Sequence, residues 1–185
     1  MKLILINGPA GHGKDTLGDL INRNFQKREK QGKIFHFADY LKYSCTKYLN
    51  WDGNKSNPQG RSVLQSVGEK MRKTYSNFWA DTLSKLIKGI FNDLDYIIIP
   101  DLRYVNEAET IYNYFPNDDV ITINITRYNL DGTDYNNPFM SEENKQHQSE
   151  NDMKNYIFDY YIVNKDFSEL QESAELLVEL FLKGE

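Results

Sequence analysis

Only one cysteine, Cys45, occurs in the chain. No internal disulfide can form, and a reducing compartment fits that usage. Cys45 itself reads as a small buried apolar residue rather than a catalytic thiol. Long apolar runs are missing too. None approaches the roughly 20 residues that a membrane-spanning helix needs. "MKLILIN" carries one lysine, a short apolar stretch and no small-residue cleavage site, so it does not read as a signal peptide. A soluble cytoplasmic protein with no membrane partner is expected. An excess of positive charge is also absent: 22 Lys and Arg stand against 27 Asp and Glu, a net charge of −5. Proteins that work by gripping nucleic-acid phosphates carry the opposite balance, so no nucleic-acid partner is expected. A small phosphorylated ligand needs only a handful of basic side chains, and that remains open.

What is present points to a folded α/β unit. The 185 residues are 39% hydrophobic and 14% aromatic, enough for one domain with a substantial core. Short apolar runs at Leu3–Ile6, 33–38 ("KIFHFA"), 95–101 ("DYIIIPD"), 119–126 ("DVITINIT") and 159–163 ("DYYIV") read as five strands. Their near-continuous apolar character suits a parallel sheet covered on both faces. Helical spacing lies between them: Leu17, Leu20, Ile21 and Phe25; Val63, Leu64, Val67 and Met71; Trp79, Leu83, Leu86, Ile87 and Ile90; Val105, Ala108, Ile111 and Tyr112. A last helix is expected to open with a capping box of Ser168 and Gln171 and to bury Leu170, Ala174, Leu177 and Phe181. Strand–helix alternation predicts a doubly wound α/β domain. Two polar stretches interrupt it, residues 50–60 and 128–150, and the second reads as a mobile flap.

The stretch "GPAGHGKDT" matches the phosphate-cradling pattern G-x-x-x-x-G-K from Gly8 to Lys14. It follows an apolar strand and opens an amphipathic helix, which is the setting the mechanism requires. Gly8, Gly11 and Gly13 permit close backbone approach. Amide N–H groups and the helix N-terminus then face phosphate oxygens, and Lys14 supplies a point charge. The pattern departs from the common one at Asp15, where a hydroxyl is usual. A carboxylate there either holds Mg²⁺ through water or caps the first turn, where the helix dipole favours it. Thr16 still offers a hydroxyl, most plausibly to the α-phosphate.

A second constellation follows the third strand. In "IIIPDLRYVNEAETI", Asp101 and Arg103 sit where open α/β sheets bind ligands. Asp101 suits metal-bound water or an arginine, and Arg103 suits bidentate phosphate binding. "FADYLK" adds Asp39 and Lys42, and "GRSVLQSVGEKMRKTYSNFWADTL" adds Arg72 and Trp79.

Together, "GPAGHGKDT", "FADYLK", "GRSVLQSVGEKMRK…FWADTL", "PDLRYVNEAETI" and "HQSEN…FDYYIVN" resemble, in that order, the phage-type deoxynucleoside monophosphate kinases. The resemblance spans nearly the whole chain. It implies a P-loop NTPase-type three-layer fold: a five-stranded parallel sheet flanked by helices, with an acceptor-binding helical region at 40–80 and a lid at 127–150. The implied reaction is phosphoryl transfer from ATP to a deoxynucleoside monophosphate, with Mg²⁺. The resemblance puts Gly8, Gly11, His12, Gly13, Lys14, Asp15 and Thr16 at the ATP phosphates, with Asn164 near the adenine. It puts Asp39, Lys42, Arg72, Trp79 and Arg103 at the acceptor. Lys14, Arg103 and Arg127 would carry the catalytic charge, and Asp15 and Asp101 would hold the metal through water. The small-molecule nucleotides are then the partners, a homodimer stays open, and a virus-encoded chain would work in the host cytoplasm.

This chain has Tyr40 where the family often has proline. Its lid carries little positive charge beyond Arg127, Lys145 and His147, and His147 reads as a solvated surface residue. Two other readings remain: a kinase of another small phosphorylated acceptor such as phosphomevalonate, and a slow nucleotide-hydrolysing switch. Against the switch, the guanine-reading N-K-x-D pattern is absent, because "NKDF" at 164–167 has its aspartate one place early.

Overall fold

The computed structural model describes residues 1–54, 58–138 and 146–183. Its strands are β1 (Lys2–Asn7), β2 (Gly32–Ile34), β3 (Tyr96–Ile99), β4 (Asp119–Arg127) and β5 (Tyr160–Asn164). They form one sheet in the order β2-β3-β1-β4-β5, and every pairing is parallel. The helices are α1 (Lys14–Gln26), α2 (Asp39–Leu49), α3 (Pro58–Thr74), α4 (Phe78–Ile90), α5 (Val105–Tyr114), the single turn α6 (Gln148–Asn151) and α7 (Phe167–Lys183). The expected α/β class and five-stranded parallel sheet are both observed.

Strand pleating explains the continuous apolar runs. Ile4 and Ile6 point to one face, against Leu17, Leu20 and Ile21 of α1 and Leu170, Ala174, Leu177 and Phe181 of α7. Leu3 and Leu5 point to the other, against Leu83 and Ile87 of α4 and Ala108 and Ile111 of α5. A strand buried on both sides has no polar register. A third cluster lies away from the sheet: Leu41 and Cys45 of α2, Trp51 and Trp79, with Val63, Leu64, Val67 and Met71 of α3 packed against it.

Several local expectations are corrected. The second strand stops at Ile34 rather than running to residue 38. Beyond it the N–H groups of Phe37 and Ala38 both donate to the Asp101 carboxylate, which bends the chain out of the sheet and into α2. Helix α2 falls in the helical region expected at 40–80 but shows no apolar spacing of its own, because its buried face amounts to Leu41 and Cys45 alone. The final helix is not capped by Ser168 and Gln171. It begins at Phe167, and Asp166 accepts the Glu169 N–H through its side chain at 2.9 Å. Leu86, Ile90 and Tyr112 share their helices' apolar spacing yet are exposed. The polar stretch 128–150 is described only as far as residue 138 and again from 146, so Lys145 lies outside the described residues.

The tight edge of the sheet yields a stability prediction. A Cβ on Gly32 would lie 2.4 Å from Tyr96 ring carbons. That ring is fully buried and stacked on Phe25 at 4.2 Å, so it cannot yield cheaply. Gly32→Ala is expected to lower unfolding free energy by about 1–3 kcal/mol, the usual cost of overpacking. Gly89→Ala, where nothing lies within 4 Å of the added carbon, is the control. It should be neutral or stabilising by up to about 1 kcal/mol, as for glycine replacement in a helix. Urea denaturation of the two variants checks both signs.

Candidate functional site

The site is assembled where β1 and β3 end. Leu102 N–H donates to Ile6 O at 3.2 Å, and Asn7 Nδ2 donates to Leu102 O at 2.8 Å. These bonds bring the segment carrying Asp101 and Arg103 beside the loop that leaves β1. Two glycines let that loop pass. A Cβ on Gly8 would meet Ile125 O at 2.4 Å, and one on Gly13 would meet Asn164 Nδ2 at 2.6 Å; both residues have positive φ, 153° and 99°. The loop must graze β4 and β5, and only glycine allows it.

Lys14 is buried at the start of α1, and its ammonium donates to the carbonyls of Gly8 and Pro9. Burial, and next the Arg103 guanidinium, lower its pKa to about 8. Glu150, Asp15 and Asp101 act on it in the opposite sense. Burial also works against the charge of Arg103, yet Glu150 beside it holds its pKa above the ordinary arginine value. The sequence-derived pair of Lys14 and Arg103 therefore does converge.

Asn164 and His12 brace the loop. Asn164 Nδ2 donates to His12 O at 3.0 Å, and the Arg127 N–H donates to His12 Nδ1 at 2.9 Å. The Arg127 guanidinium lies over the Tyr135 ring, 4.2 Å from its centroid. A cavity of about 400 Å³ opens beside them, lined by Lys14, Thr16, Arg127, Asn164, Phe167 and neighbouring residues. Asn137 reaches the loop as well, donating to Ala10 O at 2.9 Å.

On the other side of Lys14, Asp15 and Asp39 flank His36. His36 Nε2 lies 3.2 Å from Asp15 Oδ1, and Asp39 Oδ2 accepts the His36 N–H at 2.9 Å. Hydrogen bonding to Asp15, then to Asp39, pushes the His36 pKa up to about 9, so the ring is a cation at neutral pH. Lys42 pairs with Asp39 at 3.0 Å.

Arg72 donates to Glu107 Oε1 at 3.3 Å and lies 4.2 Å from the Tyr104 ring centroid. Glu107 is 3% exposed, and its other oxygen accepts the Arg103 and Tyr104 N–H groups. Burial raises its pKa to about 7, against the pull of Arg72.

Three expectations are modified or extended. Both Asp101 oxygens accept backbone N–H groups of the β2–α2 turn, so this carboxylate has a part in shaping the loop that the sequence did not show. Trp79, expected at the acceptor, is 4% exposed, and its indole N–H donates to Gly68 O at 3.4 Å; it packs α4 on α3. His147 is not a solvated side chain, since its Nε2 lies 2.7 Å from Glu69 Oε1. Three participants were missed: His36, Glu107 and Glu150. His36 falls within the expected strand 33–38, two residues past the observed end of β2, and Glu150 sits within "HQSE", so both stood in places already marked. No local pattern announced that Glu107 would be buried.

The His12 environment generates a pH prediction. Burial first, then the charges of Lys14 and Arg127, lower its pKa to about 4. A base with a depressed folded pKa stabilises the fold above its unfolded pKa of about 6.5, and the contribution is lost as pH falls toward 4. His12→Asn keeps an acceptor for the Arg127 N–H but cannot titrate. The melting temperature of the parent should therefore fall more steeply than that of His12→Asn between pH 6.5 and 4. Parallel slopes in thermal melts across this range would rule out a neutral buried His12.

No family model matches the sequence, and no curated protein matches it. Solved structures do match. A cysteine-to-alanine mutant of the Mycobacterium tuberculosis APS kinase CysC aligns with a TM-score of 0.55 at 12% identity, covering 97% of this chain and 96% of that one. The same kinase in complex with AMPPNP and APS aligns with a TM-score of 0.51 at 12% identity over the same shares. A sugar kinase from Janibacter sp. covers 98% of this chain and 92% of its own at 14% identity, with a TM-score of 0.49. At such identities the likeness is one of architecture: the chain has a P-loop kinase fold.

Proposed function

We propose that the chain transfers a phosphoryl group from ATP to the phosphate of a deoxynucleoside monophosphate. One observation carries this reading: Arg103 after β3 is bonded to Glu150, which also holds the Ala10 amide of the glycine-rich loop, and its charge reaches the buried Lys14. Bringing a second cation against a buried lysine is costly unless anions are to be held between them. A donor phosphate at Lys14 and an acceptor phosphate at Arg103 satisfy both.

The donor side is supported by the cavity beside Lys14, whose size suits a nucleoside. The similar APS kinase was solved with AMPPNP, which favours ATP as donor. Asn164 braces the loop under this cavity, and Arg127 and Phe167 line it. On the acceptor side, Arg72 is held toward Arg103 by their shared partner Glu107. The exposed rings of Tyr40 and Tyr43 on α2 offer a stacking surface for a base. Residues 40–80 would form the acceptor region and 127–150 the lid.

Phosphoryl transfer asks chiefly for positioning and for positive charge around three equatorial oxygens. Lys14 would exchange the Gly8 and Pro9 carbonyls for phosphate oxygens, Arg103 and Arg72 would orient the acceptor, and Arg127 would approach from the lid. No general base is needed, because an acceptor phosphate oxygen is already ionised at neutral pH. The lid would exclude water, which otherwise competes as acceptor.

Mg²⁺ fits the residues present. Asp15 is an exposed hard-oxygen donor in the first turn of α1, next to Lys14, and Thr16 is exposed beside it. Mg²⁺ typically uses one or two carboxylates plus phosphates and water. Bound there, it would neutralise charge on the donor's phosphate oxygens. Asp101, whose oxygens also hold the β2–α2 turn, would reach the ion through water.

The test is purified protein with ATP, Mg²⁺ and each (deoxy)nucleoside monophosphate in turn, with phosphomevalonate and APS alongside. At least one deoxynucleotide should raise ADP production above the acceptor-free background; none doing so refutes the reading. Lys14→Ala should cut kcat by roughly 10²–10³-fold, as when other preorganised charge stabilisers are removed. Arg103→Ala and Arg72→Ala should chiefly raise the acceptor KM. Unchanged acceptor kinetics in both would remove them from the site. Asp15→Asn should raise the Mg²⁺ concentration for half-maximal rate by about tenfold, the worth of one charge-assisted contact. An unaltered Mg²⁺ requirement, together with a lower melting temperature, would make Asp15 a helix-cap residue only.

A further inference from the structure

Residues 147–152, "HQSEND", touch four separate parts of the site. His147 meets Glu69 of α3. Asp152 Oδ2 accepts the Val105 N–H at 3.0 Å, at the first residue of α5. Between these two anchors Glu150 reaches into the centre. Its Oε2 accepts the Ala10 N–H of the glycine-rich loop at 3.1 Å, and its Oε1 accepts from Arg103 Nη1 at 2.5 Å. Ser149 Oγ lies 3.4 Å from the same arginine nitrogen. The Glu150 side chain is only 9% exposed.

The carboxylate thus makes the two contacts by which a phosphate is held at such a site: a loop amide and a guanidinium. Glu150 also acts electrostatically on Lys14 and His12, so it lies within the field of the whole loop. A phosphate arriving at Arg103 would bring a second anion against a carboxylate in a poorly hydrated space, where like charges repel far more than in water. The two cannot hold the same contacts at once.

We infer that Glu150 is a resident anion that substrate phosphate must displace from Arg103 and the Ala10 amide, and that it thereby sets which anions the site admits. The inference rests on the proposed phosphotransferase reading. An anion of one charge gains little over the carboxylate already there. A polyphosphate or a dianionic phosphate brings more charge and more acceptor oxygens, and wins the exchange. Because His147–Glu69 and Asp152–Val105 hold the backbone on either side, the exchange is a rotation of the Glu150 side chain, with the segment left in place. Glu150 is a specificity-determining residue in this account, and a satisfied Arg103 is its resting state.

The experiment is calorimetric binding of inorganic tripolyphosphate and of AMPPNP to the full chain, at fixed pH and ionic strength. The proteins are the parent, Glu150→Gln, Glu150→Ala, Arg103→Ala and the Glu150→Gln/Arg103→Ala double variant. Gln keeps an oxygen for the Ala10 N–H and removes only the charge. Tripolyphosphate should bind Glu150→Gln about tenfold more tightly than the parent, the equivalent of one charge-assisted contact. Glu150→Ala should shift in the same direction, which guards against a fault peculiar to Gln, and a damaged fold does not gain affinity. Most of the gain should vanish when Arg103 is also replaced. Equal or weaker tripolyphosphate binding by both Glu150 variants, with AMPPNP still bound by the parent, overturns the exchange and leaves the nucleotide reading standing. A gain of the same size with and without Arg103 also overturns it, since the effect is then one of long-range charge. AMPPNP binding by none of the proteins overturns the proposed function and the exchange with it.

Discussion

A buried lysine with partly exposed arginines brought toward it is the constraint around which this site is organised. Lys14 lies where water is scarce, and the Arg103 guanidinium makes its charge more costly. Isolated buried charges are too expensive to keep. The protein answers with carboxylates placed at the same ends of the sheet: Glu150 on Arg103, Glu107 on Arg72, and Asp101 acting on both Lys14 and Arg103. These acidic residues share another task. Glu107 holds the amides that begin α5, Asp101 those that lead into α2, and Glu150 the amide of Ala10. The charges that compensate the cations therefore also fix the backbone on which the cations are mounted.

The glycine-rich loop depends on parts of the chain far from it in sequence. Ile125 and Asn164 set how closely it passes β4 and β5, and His12 is locked between the Arg127 amide and the Asn164 side chain. Asn137 and Glu150 add contacts from within the 127–150 stretch. The 127–138 arm is thereby tied to the loop, Asn137 holding Ala10 O and the Arg127 amide holding His12 Nδ1. The 147–152 segment plays a complementary part by tying α3, α5 and the loop together through His147, Asp152 and Glu150.

Much of the architecture was legible in the sequence because apolar patterning is a local record of burial. β1 and β3 are runs with no polar register, as strands covered on both sides require. By contrast, Thr122, Asn124 and Thr126 alternate along β4, and the edge strand β5 leaves Tyr161 and Val163 exposed. Helices α1, α5 and α7 carry their buried faces at helical spacing. The glycines and Lys14 were legible for a different reason, since close backbone approach leaves glycine as the only choice. Where the reading failed, a long-range contact had overridden the local signal. The apolar character of 33–38 continues past Ile34, but the Asp101 carboxylate takes the next amides out of the sheet. Helix α2 has too narrow a buried face to declare itself, and Asp166 captures the start of α7 ahead of Ser168.

For the site, the sequence by itself determined the cations and the loop that carries Lys14, because those residue types at that spacing have few other uses. Only the tertiary structure decided what each cation faces. Trp79 and Asp101 looked available from their places in the chain, but packing against α3 removed the first and the turn into α2 engaged the second. His36, Glu107 and Glu150 acquire their roles from partners 21, 35 and 47 or more residues away. A side chain's charge is written in its own codon, whereas its burial and its counter-charge belong to neighbours that meet only once the sheet has closed.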